Sequence, residues 1–394
     1  MNRTLVISEV FPPRTGGSGR WLWELYRRWP HESVHVLAGE HAEAAAFDRT
    51  HDVPIERMKL SFASWGLVGF QNVRQYMAAY RKVAKVAKKQ FITQTHCGRL
   101  LPEGLIAWML SMRHRIPYAC YVHGEELNTA ATSRELSFLT RRVLGGARVL
   151  IANSFNTARV LMNQWQVPAA QIEVVNPGVD AASFTVAQRD ETQRAALDWT
   201  ERSVVLTVGR LQARKGHARM IAAFPRIVER IPNALYAIVG EGEMRSELES
   251  VVASRGLMKH VQFLGELRED ELRCCFQQCD LFALPNVQIQ GDYEGFGMVL
   301  VEAQACGKPV LAGRSGGTSE TLREGETGRL VNCENESELA EAVSDLLGDS
   351  DRRQRMGAAG RRWVERKFDW SMVAKQAQAV FAERFDNSAL RRAA

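Results

Sequence analysis

Residues 291–310 read Gly291-Asp292-Tyr293-Glu294-Gly295-Phe296-Gly297-Met298-Val299-Leu300-Val301-Glu302-Ala303-Gln304-Ala305-Cys306-Gly307-Lys308-Pro309-Val310. A glycine-framed loop opens an apolar run of helical length. Gly307 stops the run, and Val310 starts a β-rich segment. The same alternation extends in both directions along the chain. Strands are expected at 5–8, 34–38, 91–95, 118–122, 149–152 and 172–175, then at 204–208, 236–239, 261–264, 281–284 and 310–312, with helical periodicity between most of them. This pattern predicts mostly parallel sheets covered on both faces. It lapses near Asn176-Pro177-Gly178, and the polar, turn-rich residues 181–202 read as a linker. Two α/β domains in tandem are therefore expected, at 1–183 and 184–369. A final helix at 370–394 follows a long basic one. Ligands of open α/β sheets sit beyond the carboxyl ends of the strands, so two such domains facing across a cleft would place a site between them.

The composition narrows the class. Of 394 residues, 45% are hydrophobic and 24% charged, which excludes a disordered or fibrous chain. The seven cysteines are odd in number and form no C-x-x-C pair, which argues against a disulfide framework or a structural metal and for a reduced cytosol. The opening MNRTLVISEV reads as a first strand, not a signal peptide. No stretch approaches the roughly 18 apolar residues of a spanning helix, so a cytoplasmic protein is expected, soluble or peripheral on the inner membrane face. Charge is divided unevenly. Residues 1–185 hold 22 Lys/Arg against 14 Asp/Glu, while the remainder is slightly acidic. A basic half suits an anionic surface or substrate.

Two segments look built for phosphate. After the first strand comes Pro12-Pro13-Arg14-Thr15-Gly16-Gly17-Ser18-Gly19-Arg20, leading into a helix. Glycines let the backbone approach a ligand, and a helix N-terminus offers N–H groups to an anion. After the strand at 204–208 comes Gly209-Arg210-Leu211-Gln212-Ala213-Arg214-Lys215-Gly216. The guanidinium of Arg210 and the ammonium of Lys215 suit the two phosphates of a diphosphate. Gly240-Glu241-Gly242 lacks the third glycine of a dinucleotide fingerprint, and no Walker A sequence is present.

Glu294 falls in the loop and Glu302 on the helix of the opening segment. Eight helical residues span about 12 Å, beyond the roughly 5–9.5 Å of a glycosidase pair. Two separate tasks are expected: one carboxylate for sugar hydroxyls, one for a ribose. Amides of Gly295, Phe296, Gly297 and Met298 at the helix start would meet phosphate oxygens.

The Glu294-x7-Glu302 block resembles the motif of family 4 retaining glycosyltransferases, which have the GT-B fold of two Rossmann-like α/β domains facing across a cleft. The resemblance covers nearly the whole chain. It includes Gly16-Gly17, Val122-His123-Gly124-Glu125, Asn176-Pro177-Gly178-Val179-Asp180, Val208-Gly209-Arg210 with Lys215-Gly216, and Ser315-Gly316-Gly317. Gly291–Gly297 is similar to the phosphatidylinositol mannosyltransferase-like branch, which uses GDP-mannose. The resemblance implies that Arg210 and Lys215 bind and stabilise the donor diphosphate. It implies Glu294 on the sugar hydroxyls, Glu302 on the ribose, His123 beside the donor sugar, and the Gly16 and Gly17 amides near phosphate and acceptor. It implies no metal and no cofactor, the GDP- or UDP-hexose being a co-substrate. The chain departs from many members at Ser18-Gly19-Arg20, after the glycine pair, which bears on acceptor contacts.

On the acceptor side, residues 72–89 read as a helix with Arg81, Lys82, Lys85, Lys88 and Lys89 on one face and Tyr76, Tyr80, Val83 and Ala87 on another, preceded by Phe62, Trp65, Leu67 and Phe70. An anionic membrane surface and a lipid-linked or glycan acceptor are the expected partners. Trp21, Trp23 and Trp29 are expected on the first helix. The rival readings are a nucleotide-sugar hydrolase or epimerase of the same fold, a binder without activity, and a nucleic-acid-binding protein. The last has no RNP, KH or helix-turn-helix signature to support it, so no nucleic acid is expected.

Overall fold

A computed structural model describes residues 2–14, 16–62 and 64–385. The chain divides into two compact units. The first runs to Pro177 and takes in the helix beginning at Trp370; the second is Gly178–Asp369.

The first unit holds β1 (Thr4–Ser8), β2 (Val34–Gly39), β3 (Ile55–Met58), β4 (Gln94–Cys97), β5 (Tyr118–Val122), β6 (Val149–Ala152) and β7 (Ile172–Val174). Their order across the sheet is β3-β2-β1-β4-β5-β6-β7, every pair parallel. The second unit holds β8 (Ser203–Val208), β9 (Ala234–Val239), β10 (Val261–Gly265), β11 (Leu281–Leu284), β12 (Val310–Gly313) and β13 (Gly328–Val331), ordered β10-β9-β8-β11-β12-β13, again all parallel. Both sheets reverse strand order beside their first strand, between β1 and β4 and between β8 and β11. Chains of this topology open a ligand crevice at that reversal. The central strands are apolar on both faces, as sheets sandwiched by helices require: Leu5, Val6, Ile7, Val205, Leu206, Leu281 and Phe282 are fully buried.

Four local expectations are corrected. Residues 181–202 are no linker. Asp190 caps a helix at Glu191–Ala196 through the amides of Thr192 and Gln193, and Trp199 is buried. The buried Arg194 guanidinium donates to the carbonyls of Trp199 at 3.0 Å, of Arg202 at 2.6 Å and of Gln278. The strand expected at 91–95 begins at Gln94. Phe91 sits at φ 52° and is exposed, whereas Gln94, Thr95 and His96 are buried polar residues. His96 is tolerated because the Tyr26 hydroxyl is 2.7 Å from its Nδ1, and burial pushes its pKa down to about 3, so it stays neutral. Two strands were not foreseen, β3 and β13. Each has four residues and lies at a sheet edge; β3 carries Glu56 and Arg57, and β13 carries Arg329. Finally, the first helix is Gly17–Tyr26, so Trp29 lies in the turn beyond it.

The last described helix, Trp370–Phe385, lies on the first unit. Phe381 stacks on His96 with ring centres 3.9 Å apart, and Arg384 Nε is 3.0 Å from Glu173. Residues 386–394 of the expected terminal helix lie outside the described residues.

Candidate active site

In the second unit the site starts at β8. Its exit, Gly209-Arg210, leads to a short 3-10 turn at Ala213–Lys215 and then to the helix His217–Arg230. Gly216 joins them at φ 74°, and a Cβ there would stand 1.8 Å from the carbonyl oxygen of Pro285, just past β11. Only glycine lets the two strand exits touch.

The exit of β11 carries the acidic loop. Glu294 is 8% exposed, and its Oε2 lies 2.6 Å from Lys215 Nζ and 2.6 Å from Arg214 Nη1. Arg214 Nε also reaches Asp292 at 3.2 Å. Burial raises the pKa of the Glu294 carboxyl, but the charges and hydrogen bonds of Lys215 and Arg214 outweigh it and hold the group below the usual glutamate range. The carboxylate is therefore ionised at neutral pH, with two cations on one oxygen.

The loop after β12 holds Glu294 from behind. Gly317 N donates to the Glu294 carbonyl at 2.8 Å. Gly316, at φ 70°, passes so close that a Cβ would stand 2.1 Å from that same carbonyl oxygen. Asn286 ties the two exits together. Its Oδ1 accepts from Gly313 N at 3.0 Å, and its Nδ2 donates to the Ser315 carbonyl at 2.8 Å. Gly295, Phe296 and Gly297 lead into the helix Met298–Ala305, which carries Glu302, 4% exposed. Arg210 is exposed on the β8 exit.

Of the residues anticipated here, the structure joins Lys215 to Glu294 and keeps Gly295–Met298 directly after them. Two participants were not anticipated. Arg214 lay inside the basic loop but was not distinguished from its neighbours, and Asn286 carried no signal beyond its place after a strand.

The first unit gathers a second constellation. Gly16 precedes and Gly17 begins the helix Gly17–Tyr26 after β1, and Ser18 follows. His123 sits after β5 with each polar atom engaged. Its N–H donates to Glu126 Oε1 at 2.8 Å, and its carbonyl accepts from Asn153 Nδ2 at 2.9 Å. Its Nε2 is 2.8 Å from the carbonyl oxygen of Gly98, after β4, and its Nδ1 is 3.2 Å from the Ser18 hydroxyl. A carbonyl oxygen only accepts, so Nε2 carries the proton, and Nδ1 accepts from Ser18. The buried Trp21 meets the His123 ring edge-on at 5.4 Å. Ser18, which stood out as a departure after the glycine pair, is thus a partner of His123.

Comparison with known proteins agrees with this layout. Residues 189–363 match the family of glycosyl transferases group 1, and residues 15–183 match glycosyltransferase family 4. The chain is 31% identical over 386 residues to a GDP-mannose-dependent alpha-(1-6)-phosphatidylinositol monomannoside mannosyltransferase of Mycobacterium tuberculosis, covering 95% of this chain and 96% of that protein. It is 30% identical over 381 residues to a GDP-mannose-dependent monoacylated alpha-(1-6)-phosphatidylinositol monomannoside mannosyltransferase of Corynebacterium glutamicum, with 95% and 96% covered. Among solved structures, Anabaena Alr3699/HepE in complex with UDP superposes with a TM-score of 0.82 at 21% identity, covering 97% of this chain and 100% of that one. Two parallel sheets of Rossmann order, two family matches in tandem and relatives aligned nearly end to end lead to one conclusion: the chain belongs to the GT-B glycosyltransferases of the group 1 and family 4 type, related to GDP-mannose-dependent phosphatidylinositol mannosyltransferases.

Proposed function

We propose that this glycosyltransferase moves a hexosyl group, mannose from GDP-mannose, to a hydroxyl of a lipid-linked acceptor, with retention of anomeric configuration and without a metal. The observation that carries the reading is the convergence of Lys215 and Arg214 on Glu294 at the strand-order reversal of the second unit. A nucleoside diphosphate is already a good leaving group. What remains is to stabilise charge growing on its oxygens, and cations fixed in a largely buried site do this at little reorganisation cost. Lys215 and the exposed Arg210 take the diphosphate. Glu294 takes sugar hydroxyls, Glu302 the ribose, and the amides of Gly295–Met298 the phosphate oxygens. This unit, 184–369 as read from the sequence, is the donor half.

The half at 1–183, with the helix from Trp370, is the acceptor half. Gly16 and Gly17 offer amides there, and His123 orients the reacting face. Both ring nitrogens of His123 have partners, which favours the departing phosphate as proton acceptor. In the step, the bond from the anomeric carbon to the diphosphate oxygen breaks, the acceptor oxygen bonds on the same face, and the acceptor proton passes to the leaving phosphate.

The acceptor class rests on the names of the relatives and on the helix Phe70–Lys89, which carries basic residues and no acid. Arg74, Arg81, Lys85, Lys88 and Lys89 are exposed, and Val68, Phe70 and Val73 are exposed at its start. Lys82, partly exposed, pairs with Glu56 at 3.3 Å. Phe62, Trp65 and Leu67 pack on the core, so the exposed apolar tip is smaller than the sequence suggested. This face rests on anionic lipid. No helix among the described residues is long and apolar enough to cross a membrane.

The test is a donor panel. GDP-mannose, UDP-glucose and ADP-glucose are compared by thermal shift, then by transfer to a phosphatidylinositol mannoside, with product configuration read by NMR. A saturating donor at 100 times its Kd adds about 2.7 kcal/mol. Turnover of UDP-glucose alone overturns the donor assignment. Release of free sugar at equal rates with and without acceptor favours the hydrolase reading.

A further inference from the structure

The carbonyl that holds His123 Nε2 belongs to Gly98, at the exit of β4. That peptide has little freedom. Gly98 N donates to the Ile7 carbonyl of β1 at 2.8 Å, and a Cβ on Gly98 would run into the side chains of Ser8 and Leu22. Arg99 follows, and its guanidinium is built into the strand-order reversal of the first unit. Its Nη2 pairs with Glu9 Oε2 at the exit of β1 and lies 3.4 Å from Oε1 of the fully buried Glu103. Glu103 closes the triangle, because the same Oε1 accepts from Glu9 N at 2.8 Å. The Trp65 ring lies against the guanidinium, 5.6 Å from its Cζ.

Electrostatics favour the same arrangement. Burial lowers the pKa of the Arg99 guanidinium, but the carboxylates of Glu103, Glu9 and Glu126 outweigh it and raise the value. Burial raises the pKa of Glu9, and the hydrogen bonds and charges of Arg99 and Arg14 overcome it. Glu126 is the residue whose Oε1 accepts the His123 N–H. One cation therefore faces carboxylates that grip the exits of β1 and β5, while its own backbone continues from the Gly98 carbonyl. Buried ions hold such a geometry because removing one member leaves the others unpaired. We propose that Arg99 is a positioning residue for transfer: it fixes the Gly98 carbonyl on His123 Nε2 and so holds the imidazole in the orientation the reaction uses. This rests on the reading of His123 given above. Arg99 acts through the ring, not on the substrate.

The test follows the His123 ring by nitrogen-15 NMR of the histidine-labelled full chain, with His123→Ala assigning its signals. This readout needs no substrate, so it stands apart from the donor and acceptor assignments. Arg99→Met keeps a long side chain and removes the charge; Arg99→Lys returns the charge. In Arg99→Met the His123 nitrogens should leave the fixed Nε2–H pattern for the averaged shifts of two exchanging tautomers. Transfer from GDP-mannose to a phosphatidylinositol mannoside should fall in kcat by about tenfold or more, with donor Kd by calorimetry held within about twofold. Arg99→Lys should recover part of both losses. If Arg99→Met does not fold, Glu103→Gln is read in its place: its amide oxygen still accepts from Glu9 N, and the charge lost beside Arg99 should produce the same change at smaller amplitude. Arg57→Met is the control for plain loss of a buried guanidinium, since Arg57 binds Asp48 at 3.0 Å and the Pro12 carbonyl at 2.7 Å. It should lower stability and leave the His123 signals in place. Parental His123 signals in folded Arg99→Met overturn the proposal, as does an Arg57→Met that moves them equally. If His123→Ala transfers like the parent, the reading of His123 fails and this one with it.

Discussion

Lys215 Nζ and Arg214 Nη1 each lie 2.6 Å from a single oxygen, Oε2 of Glu294. The two cations sit on the exit of β8 and the carboxylate on the exit of β11, the strand paired beside it. The contact therefore depends on the sheet order, because neighbouring parallel strands deliver their following loops to one edge. On the proposed function, the carboxylate holds Lys215 in place for the diphosphate, and Arg214 steadies the carboxylate.

The first prediction concerns turnover. On the proposed function, Lys215→Ala removes a charge that meets the leaving diphosphate, and Arg210→Ala removes a second one from the same loop. Loss of one preorganised stabiliser typically costs ~10²–10³ in kcat. Steady-state kinetics with saturating acceptor should show that fall in kcat, with donor KM changed much less. Intact kcat with only weakened donor affinity would remove both residues from their assigned role.

The second concerns acid. Glu294 has a folded pKa below its ordinary value of 4.5. Its ion pairs therefore contribute stability that is fully present above that value and is lost as pH falls through the lowered one. Chemical unfolding from about pH 7 down to about pH 3 should show this loss in the parent and a flatter acid limb in Glu294→Gln. At neutral pH the substitution takes the carboxylate charge from Lys215 and leaves Arg214 with Asp292, and should cost about 3 kcal/mol. Parallel acid limbs in the two proteins would contradict the ion-pair account.

Much of the fold was legible because central strands have no choice of partner. Strands such as 149–152 and 281–284 are apolar on both faces because strands flank them and helices cover the sheet on both sides. Edges were not legible. Ile55–Met58 and Gly328–Val331 pair on one side only, so half of each can be polar and the apolar signal vanishes. Phe91 misled for the opposite reason: it is apolar but exposed on a turn, while the real strand hides Gln94 and His96 among hydrogen-bond partners. In the site, Glu294 and Lys215 announced themselves by residue type and place. Arg214 did not, because which of three nearby cations turns inward is set by the path of the 3-10 turn, not by the sequence pattern.

The third prediction sets two glycines against each other. Gly316→Ala puts a methyl about where the Glu294 carbonyl stands, at a φ that alanine resists. The Glu294 loop must move, so transfer and stability should fall together, by at least about 1–3 kcal/mol in stability. Gly145 lies near the end of the helix Arg134–Gly146 with open space around its missing Cβ. Gly145→Ala should raise stability by about 0.5–1 kcal/mol and leave transfer unchanged. Differential scanning calorimetry with an activity assay reads both. Equal effects would mean that the contact behind Glu294 is incidental.

The fourth concerns Ser18 and separates two tasks for His123. The ring is held twice, by Nε2–H to the Gly98 carbonyl at 2.8 Å and by the Ser18 hydroxyl on Nδ1 at 3.2 Å. Ser18→Ala removes the weaker hold. The protonated Nε2 keeps its acceptor, so the tautomer persists, and Trp21 still braces the ring edge-on. One neutral hydrogen bond is worth about 1 kcal/mol, so transfer should fall by about fivefold. His123→Ala removes the ring and both anchors and should cost more, ~10² or above, as loss of a positioning group can. Nitrogen-15 NMR of ring-labelled protein should show Nε2–H in the parent and in Ser18→Ala alike. If the proton instead moves to Nδ1 in Ser18→Ala, the serine sets the tautomer and the Gly98 carbonyl does not. If Ser18→Ala is as damaging as His123→Ala, the hydroxyl itself faces the acceptor, and the departure after the glycine pair would mark an acceptor contact instead of a brace.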